Sequence, residues 1–410
     1  MTANFLRLAI VLGLVSAIGP FAIDMYLPAL PIIGADLGAS DLSVQMSLVV
    51  VFLAFAVGPL IVGPLADIYG RKPILYGGLI VFALASVGAV FAPNVGWLIV
   101  FRLVQGLGAS TGMVVPRAVV RDLHTGAEAT RLMSLLMLVF SVSPILAPLV
   151  GSFIIDAFGW RAVFWAVAIA AVLAYALMAL ALEETRPVEA RGGSSFASSL
   201  QGYKVLAKDT NFLGLVLIGG FGIASFFVYL ANSSFVLIDH YGLSPSTYSL
   251  FFSLNAVSFF AVSQLSGWMT AKFGLRRVVR LAVFGYAAVM AGMYIVMASG
   301  FESLTFMTIA LFFGYGFLGL VIPTTSVLAM EDHGEIAGTA SALMGTLHMI
   351  TGVAAMTVTS LFANGRPMPM VTGIAGAAAI AFLLTLLTLR GEAREADVEE
   401  NVETVQVPAE

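Results

Sequence analysis

The sequence predicts an all-α integral membrane protein of twelve spanning helices arranged as two six-helix halves. Three observations carry that prediction. Hydrophobic residues make up 60% of the chain and charged residues only 10%, against about 25% charged in soluble domains. Long uncharged apolar runs recur from end to end, and a run of ~18 or more such residues can cross the hydrocarbon core as a helix. A polar stretch divides these runs six and six. No run shows the short alternation of barrel strands.

The first half, residues 1–182, holds runs over Phe5–Pro31, Val44–Ala66, Ile74–Ala92, Trp97–Val120, Leu132–Ile155 and Trp160–Leu182. The first run outlasts a signal-peptide core of ~7–15 residues, so it reads as a retained helix. Residues 183–210 contain Pro187, Gly192, Gly193 and a serine cluster and read as a linker. The second half, residues 211–390, holds Phe212–Leu237, Ser246–Thr270, Val278–Ser299, Leu304–Met330, Ile336–Ala363 and Met370–Leu389. The tail, 391–410, is rich in Glu and poor in large apolar groups, which predicts disorder in water. Its charge has the wrong sign for nucleic acid. With no cysteine in the chain, disulfides and thiolate chemistry are excluded. No cofactor or metal is expected.

Charge orients the predicted spans. Arg7, Arg71, Lys72, Arg117, Arg121, Arg131, Arg186, Arg191, Lys204, Lys208, Lys272, Arg276, Arg277, Arg280, Arg390 and Arg394 fall on one side; the opposite loops carry only Arg161 and Arg366. The positive-inside rule then puts both termini and the linker in the cytoplasm. A miscount by one helix would destroy this separation. The halves also repeat: Gly63 to Leu75 (GPLADIYGRKPIL) and Gly267 to Val279 (GWMTAKFGLRRVV) each follow the second helix of their half, with paired glycines and then basic residues. Paired halves suggest a site near the midplane reached alternately from either side.

Four motifs carry a family resemblance. Gly63, Asp67, Gly70, Arg71 and Lys72 belong to a string that resembles motif A of the major facilitator superfamily. Arg102, Gln105, Gly106, Gly108 and Ala109 match R-x-x-Q-G-x-G-A, the signature (motif B) of its proton-coupled members. The stretch Ser143 to Gly151, with Pro144, Pro148 and Gly151, is similar to antiporter motif C, though Ser143 and Ala147 stand where that motif favours Gly. The string from Asp24 to Pro31, DMYLPALP, resembles Bcr/CflA-type multidrug exporters. Together they imply the major facilitator fold and a twelve-helix drug/proton antiporter of the bacterial inner membrane, exporting hydrophobic or amphipathic drugs of phenicol, bicyclomycin or sulfonamide type. In the second copy of motif A, Ala271 takes the position of Asp67.

Asp24 is the only acid deep in a predicted span, and Arg102 the only base well inside one. An ionised group in hydrocarbon costs about 2.5–3.5 kcal/mol even on insertion scales, so each is a functional candidate. Burial favours a protonated carboxyl and a nearby cation favours the charged one. Asp24 is therefore the expected carrier of the coupling proton, a substrate contact, or both in competition. An early end to the first helix would leave Asp24 at the interface instead, a reading the following prolines keep open. The resemblance makes helices 1 and 4 neighbours, so Arg102 is expected to sense Asp24; the alternative is a structural bond to backbone carbonyls. Gln105 shares the face of Arg102. Tyr26, Phe226, Phe227, Tyr229, Asn232, Asn255, Gln264, Tyr315 and His348 are softer candidates for an apolar cavity with a few polar groups, packing being the alternative for the phenylalanines. His348 could titrate near neutral pH or bond a neighbouring helix. The resemblance makes Asp67, Arg71 and Lys72 a gate. Arg117, Arg121 and Asp122 are candidates to join it, ordinary positive-inside charge being the alternative for the two arginines.

A metabolite exporter or importer on the same scaffold is the second reading. An enzyme is not expected, because the spans lack two convergent acids or a histidine cluster. Nothing resembles a selectivity filter. The expected partners are a small-molecule drug, protons and lipid, with a monomer as the working unit.

Overall fold

The computed structural model describes residues 3–187, 203–333 and 336–405. Every regular element among them is helical. Twelve helices are long and apolar enough to cross a membrane: α1 Phe5–Leu37, α2 Asp41–Tyr69, α3 Arg71–Val90, α4 Val95–Leu123, α5 Arg131–Phe158, α6 Arg161–Ala181, α7 Thr210–His240, α8 Pro245–Phe273, α9 Leu275–Ala298, α10 Leu304–Met330, α11 Thr339–Leu361 and α12 Pro367–Leu389. The fold is that of a polytopic membrane protein, as composition predicts. Most of the linker, 188–202, lies outside the described residues.

Local chemistry sets many of the ends. Ser40, Asn94 and Ser303 cap α2, α4 and α10, each side chain accepting from a backbone N–H three residues on. Gly70 and Gly274 make the turns after α2 and α8 with φ of 101° and 82°, a region that suits glycine alone. These two glycines occupy matching places in the repeated loops, so the repeat read in sequence is also a repeat of backbone conformation.

Two spans depart from a plain rod. The α-helix of α1 stops at Asp24; a 3-10 turn over Leu27–Ala29 follows, and the helix resumes over Leu30–Leu37. Hydropathy sees one apolar run there, but Pro28 and Pro31 lack the N–H that a continuous ladder needs. α7 ends in a π-helical turn over Phe235–His240. At the other end of the chain, the α12 helix is continuous from Pro367 to Val405, through much of the tail whose composition predicts disorder. Past Gly391 this stretch contains no Gly or Pro to break a helix.

The helices gather into two compact units: Met1–Ala197, Phe227–Val257 and Val353–Met370 in one, Ser198–Phe226, Ser258–Gly352 and Val371–Glu410 in the other. In the first, α4 packs on α2 and α3, and α1 packs on α4, α5 and α6. Glycines permit the approach: a Cβ on Gly112 would lie 2.6 Å from the Val15 carbonyl oxygen, and one on Gly108 2.7 Å from that of Gly78. In the second, α9 packs on α10.

Candidate functional site

Asp24 sits where the α1 helix ends, and its side chain is buried, at 5% exposure. Its carboxylate Oδ2 accepts a hydrogen bond from Ser143 Oγ of α5 at 2.9 Å. Arg102 of α4 is 1% exposed. Its Nη1 donates to Gln105 Oε1 at 2.6 Å and to the Ala22 carbonyl at 3.2 Å. The guanidinium lies 4.4 Å from the Tyr26 ring centroid and 5.9 Å from that of Phe164, a cation–π setting that partly replaces its hydration. Arg102 Nε and Nη2 are buried without a hydrogen-bond acceptor. No ion pair joins Asp24 to Arg102 among the described residues; the bond to Ala22 brings the cation to the backbone two residues before the acid.

Further bonds hold this cluster. Gln105 Nε2 donates to Ser86 Oγ at 2.7 Å, and Tyr26 shares a 2.8 Å hydroxyl bond with Ser47. Gly151 lets α5 reach the break in α1, since a Cβ there would lie 2.3 Å from the Met25 carbonyl oxygen. The motif C stretch therefore touches α1 at two points, through Ser143 and through Gly151.

The softer candidates fall into two groups. In the first unit, Asn255 Nδ2 donates to the Tyr229 hydroxyl at 2.9 Å, and Tyr229 stacks on Phe252. Asn232 accepts from Gln45 Nε2 at 3.2 Å, and Phe227 lies 4.2 Å from Phe52, centroid to centroid. Gln45 Oε1 and Asn255 Oδ1 are buried without a donor. Ser249 and Ser253 of α8 donate to the Pro148 and Ile145 carbonyls of α5 at 2.9 and 2.6 Å. In the second unit, Phe226 meets Tyr315 edge-on, and the Tyr315 hydroxyl donates to the Ser225 carbonyl at 3.4 Å. His348 Nε2 bonds the Val216 carbonyl at 3.0 Å beside Gly219. Gln264 is exposed.

The motif A residues form a separate charged cluster at the ends of α2, α3 and α4. Arg71 donates to Asp67 at 2.7 Å and to Asp122 at 2.9 Å. Arg186 pairs with Asp67 at 3.3 Å, and Thr185 donates to Asp122. Glu184 accepts from the backbone N–H groups of Arg71 and Lys72, capping the positive end of α3. Lys72 lies over Tyr76 and Arg117 over Phe140. A Cβ on Gly63 would meet nothing within 4 Å.

Sequence reasoning missed Ser143, Ser86, Gln45, Phe164, Glu184 and Arg186 as participants. Ser143 did leave a trace, as a hydroxyl at a position where motif C favours Gly. Arg186 counted only as one of the orienting charges and Glu184 left no trace, since both stand at the start of what reads as a linker.

A family model described as Major Facilitator Superfamily matches residues 12–356. An uncharacterized MFS-type transporter of Bacillus subtilis is 37% identical over 349 residues, 85% of this chain and 87% of that protein. A bicyclomycin resistance protein homolog of Haemophilus influenzae is 30% identical, with 83% and 85% covered. Multidrug resistance protein D of Escherichia coli is 31% identical, with 84% and 86% covered. The crystal structure of a D-xylose-proton symporter superposes with a TM-score of 0.74 at 15% identity, covering 94% of this chain and 97% of that one, a likeness of fold alone.

Proposed function

The chain belongs to the Major Facilitator Superfamily, and from that premise we propose that it is a proton-coupled antiporter exporting hydrophobic or amphipathic drugs. It is a transporter, not an enzyme. Phenicol-, bicyclomycin- or sulfonamide-like compounds are the substrate class we favour, supported by relatives named for bicyclomycin and multidrug resistance and by the four motifs. In this reading it works as a monomer in the bacterial inner membrane, by alternating access between residues 1–182 and 211–390, with both termini cytoplasmic.

One observation supports the coupling more than any other. Asp24 at the end of the α1 helix and Arg102 of α4 are both buried, Arg102 bonds α1 two residues before Asp24, and among the described residues no ion pair joins them. A carboxyl whose partner is a hydroxyl can lose and regain a proton; one locked to a guanidinium resists protonation. Arg102, with its Nε and Nη2 nitrogens unmatched, is poised to sense charge at Asp24 or to donate to a substrate acceptor. Tyr26, Gln105, Tyr229, Asn232 and Asn255 offer aromatic and amide surface for a drug, with Phe226, Tyr315 and His348 as further candidates. The Asp67–Arg71–Asp122 cluster would act as gate, because carboxylate–guanidinium bonds are strong yet exchangeable.

Efflux of a phenicol from vesicles under an imposed pH gradient, wild type against Asp24→Asn, tests the proposal. Gradient-driven movement in the wild type and its loss in the variant is the expected result. A variant that still couples removes Asp24 from the mechanism. Substrate crossing that ignores the gradient in both proteins makes the chain a facilitator and ends the antiporter reading.

A further inference from the structure

We propose that Ser143 is the positioning residue of the Asp24 carboxyl, a hydroxyl on α5 that holds the acid in both of its protonation states. The inference rests on the reading of Asp24 as the proton carrier. Its geometric basis is the 2.9 Å bond from Ser143 Oγ to Asp24 Oδ2, between two residues that are 0% and 5% exposed. A hydroxyl donates to a carboxylate and, after rotation about its C–O bond, accepts from a carboxylic acid. A guanidinium only donates, and would hold the acid ionised. A serine is thus the kind of partner that a group exchanging a proton can keep throughout the cycle.

Among the described residues, Ser143 is the one side chain hydrogen-bonded to the Asp24 carboxyl. From α4, Arg102 Nη1 is engaged with Ala22 and Gln105 and the guanidinium lies over the Tyr26 ring, while its Nε and Nη2, which lack an acceptor, make no bond to Asp24. From α6, the nearby ring of Phe164 is uncharged, and Arg161 is bound to Asp36 at the far end of α1. On α1 itself, the Tyr26 hydroxyl is shared with Ser47. From α8, the Tyr248 hydroxyl is shared with Ser233 of α7, and the Tyr229 hydroxyl accepts from Asn255. The α5 segment is also held in place from outside: Gly151 abuts Met25, and Ser249 and Ser253 bond its Pro148 and Ile145 carbonyls. The hydroxyl is therefore delivered from a backbone fixed on two sides.

The test is an infrared pH titration of the purified full-length protein, following the protonated-carboxyl band that disappears in Asp24→Asn. Ser143→Ala removes a bond from both forms, but the charge-assisted bond to the carboxylate is the stronger of the two, so protonation becomes easier and the midpoint moves toward alkaline pH. A hydrogen bond to a charged group corresponds to a shift of about one pH unit. Ser143→Thr, which keeps the hydroxyl, should retain the wild-type midpoint. Ser143→Gly, without hydroxyl or Cβ, repeats the measurement if the alanine variant does not fold. An unmoved midpoint in the hydroxyl-free variant, a threonine variant shifted as far as it, or no titrating Asp24 band in the wild type overturns the assignment. No drug enters this titration, so a failure of drug export would leave the measured midpoints, and what they say of Ser143, unchanged.

Discussion

Replacing Gly151 by Ala puts a methyl group where α5 meets the break in α1. The added Cβ would lie 2.3 Å from the Met25 carbonyl oxygen and 2.7 Å from its Cα, where real Cβ atoms essentially never come within 3.0 Å. Both obstructing atoms are backbone, so no rotamer change relieves the clash. The helices must part by about 0.7 Å, the difference between 3.0 and 2.3 Å. Passed along α5 in full, that movement stretches the 2.9 Å Ser143–Asp24 bond to about 3.6 Å, too long for a hydrogen bond. Overpacking of this kind costs about 1–3 kcal/mol, or roughly a 5- to 150-fold change in the unfolding equilibrium. Reversible unfolding in mixed micelles reads this directly. Gly63→Ala is the matched control, because its Cβ meets nothing within 4 Å and Ala favours a helix over Gly by up to ~1 kcal/mol. A Gly151→Ala protein as stable as wild type, or less affected than Gly63→Ala, would refute the close-approach argument.

Three further outcomes are expected. Arg71→Ala should lose about 1–3 kcal/mol by the same unfolding measurement, between the worth of surface and buried pairs. Arg71 is 7% exposed but its partners Asp67 and Asp122 are 33% and 20% exposed, and Arg71→Lys should recover only part because an ammonium lacks the fork. Gly70→Ala should cost about 1–2 kcal/mol at its φ of 101°, whereas Ala at the helical Gly77, in open space, should cost nothing. Asp24→Asn should be as stable as wild type or more so, since the amide oxygen still accepts from Ser143 and the buried charge is gone. Loss of gradient-driven efflux without loss of stability in that variant separates transport from folding.

Much of the molecule follows from its sequence because the bilayer imposes simple rules. A span must be long, apolar and internally hydrogen-bonded, so the twelve helices are legible from hydropathy, each within a few residues of its place. The scarcity of charge inside spans singles out Asp24 and Arg102 without any structure. Glycines seven residues apart announce the turns at Gly70 and Gly274, since only the backbone freedom of glycine suits such dihedrals. Pairing is what sequence could not supply. Which face of α1 meets which face of α5 depends on a close backbone approach at Gly151 and Met25, and hydropathy is blind to helix rotation. The expectation that Arg102 answers Asp24 comes from neighbouring helices and opposite charge. In the folded chain a serine from α5 takes the carboxylate, while the guanidinium turns to a carbonyl, an amide and an aromatic ring. Sequence determined which residues are too costly to be in the membrane without purpose; only tertiary packing decided what each one touches, because contact depends on rotations and sub-ångström approaches that a one-dimensional pattern does not encode.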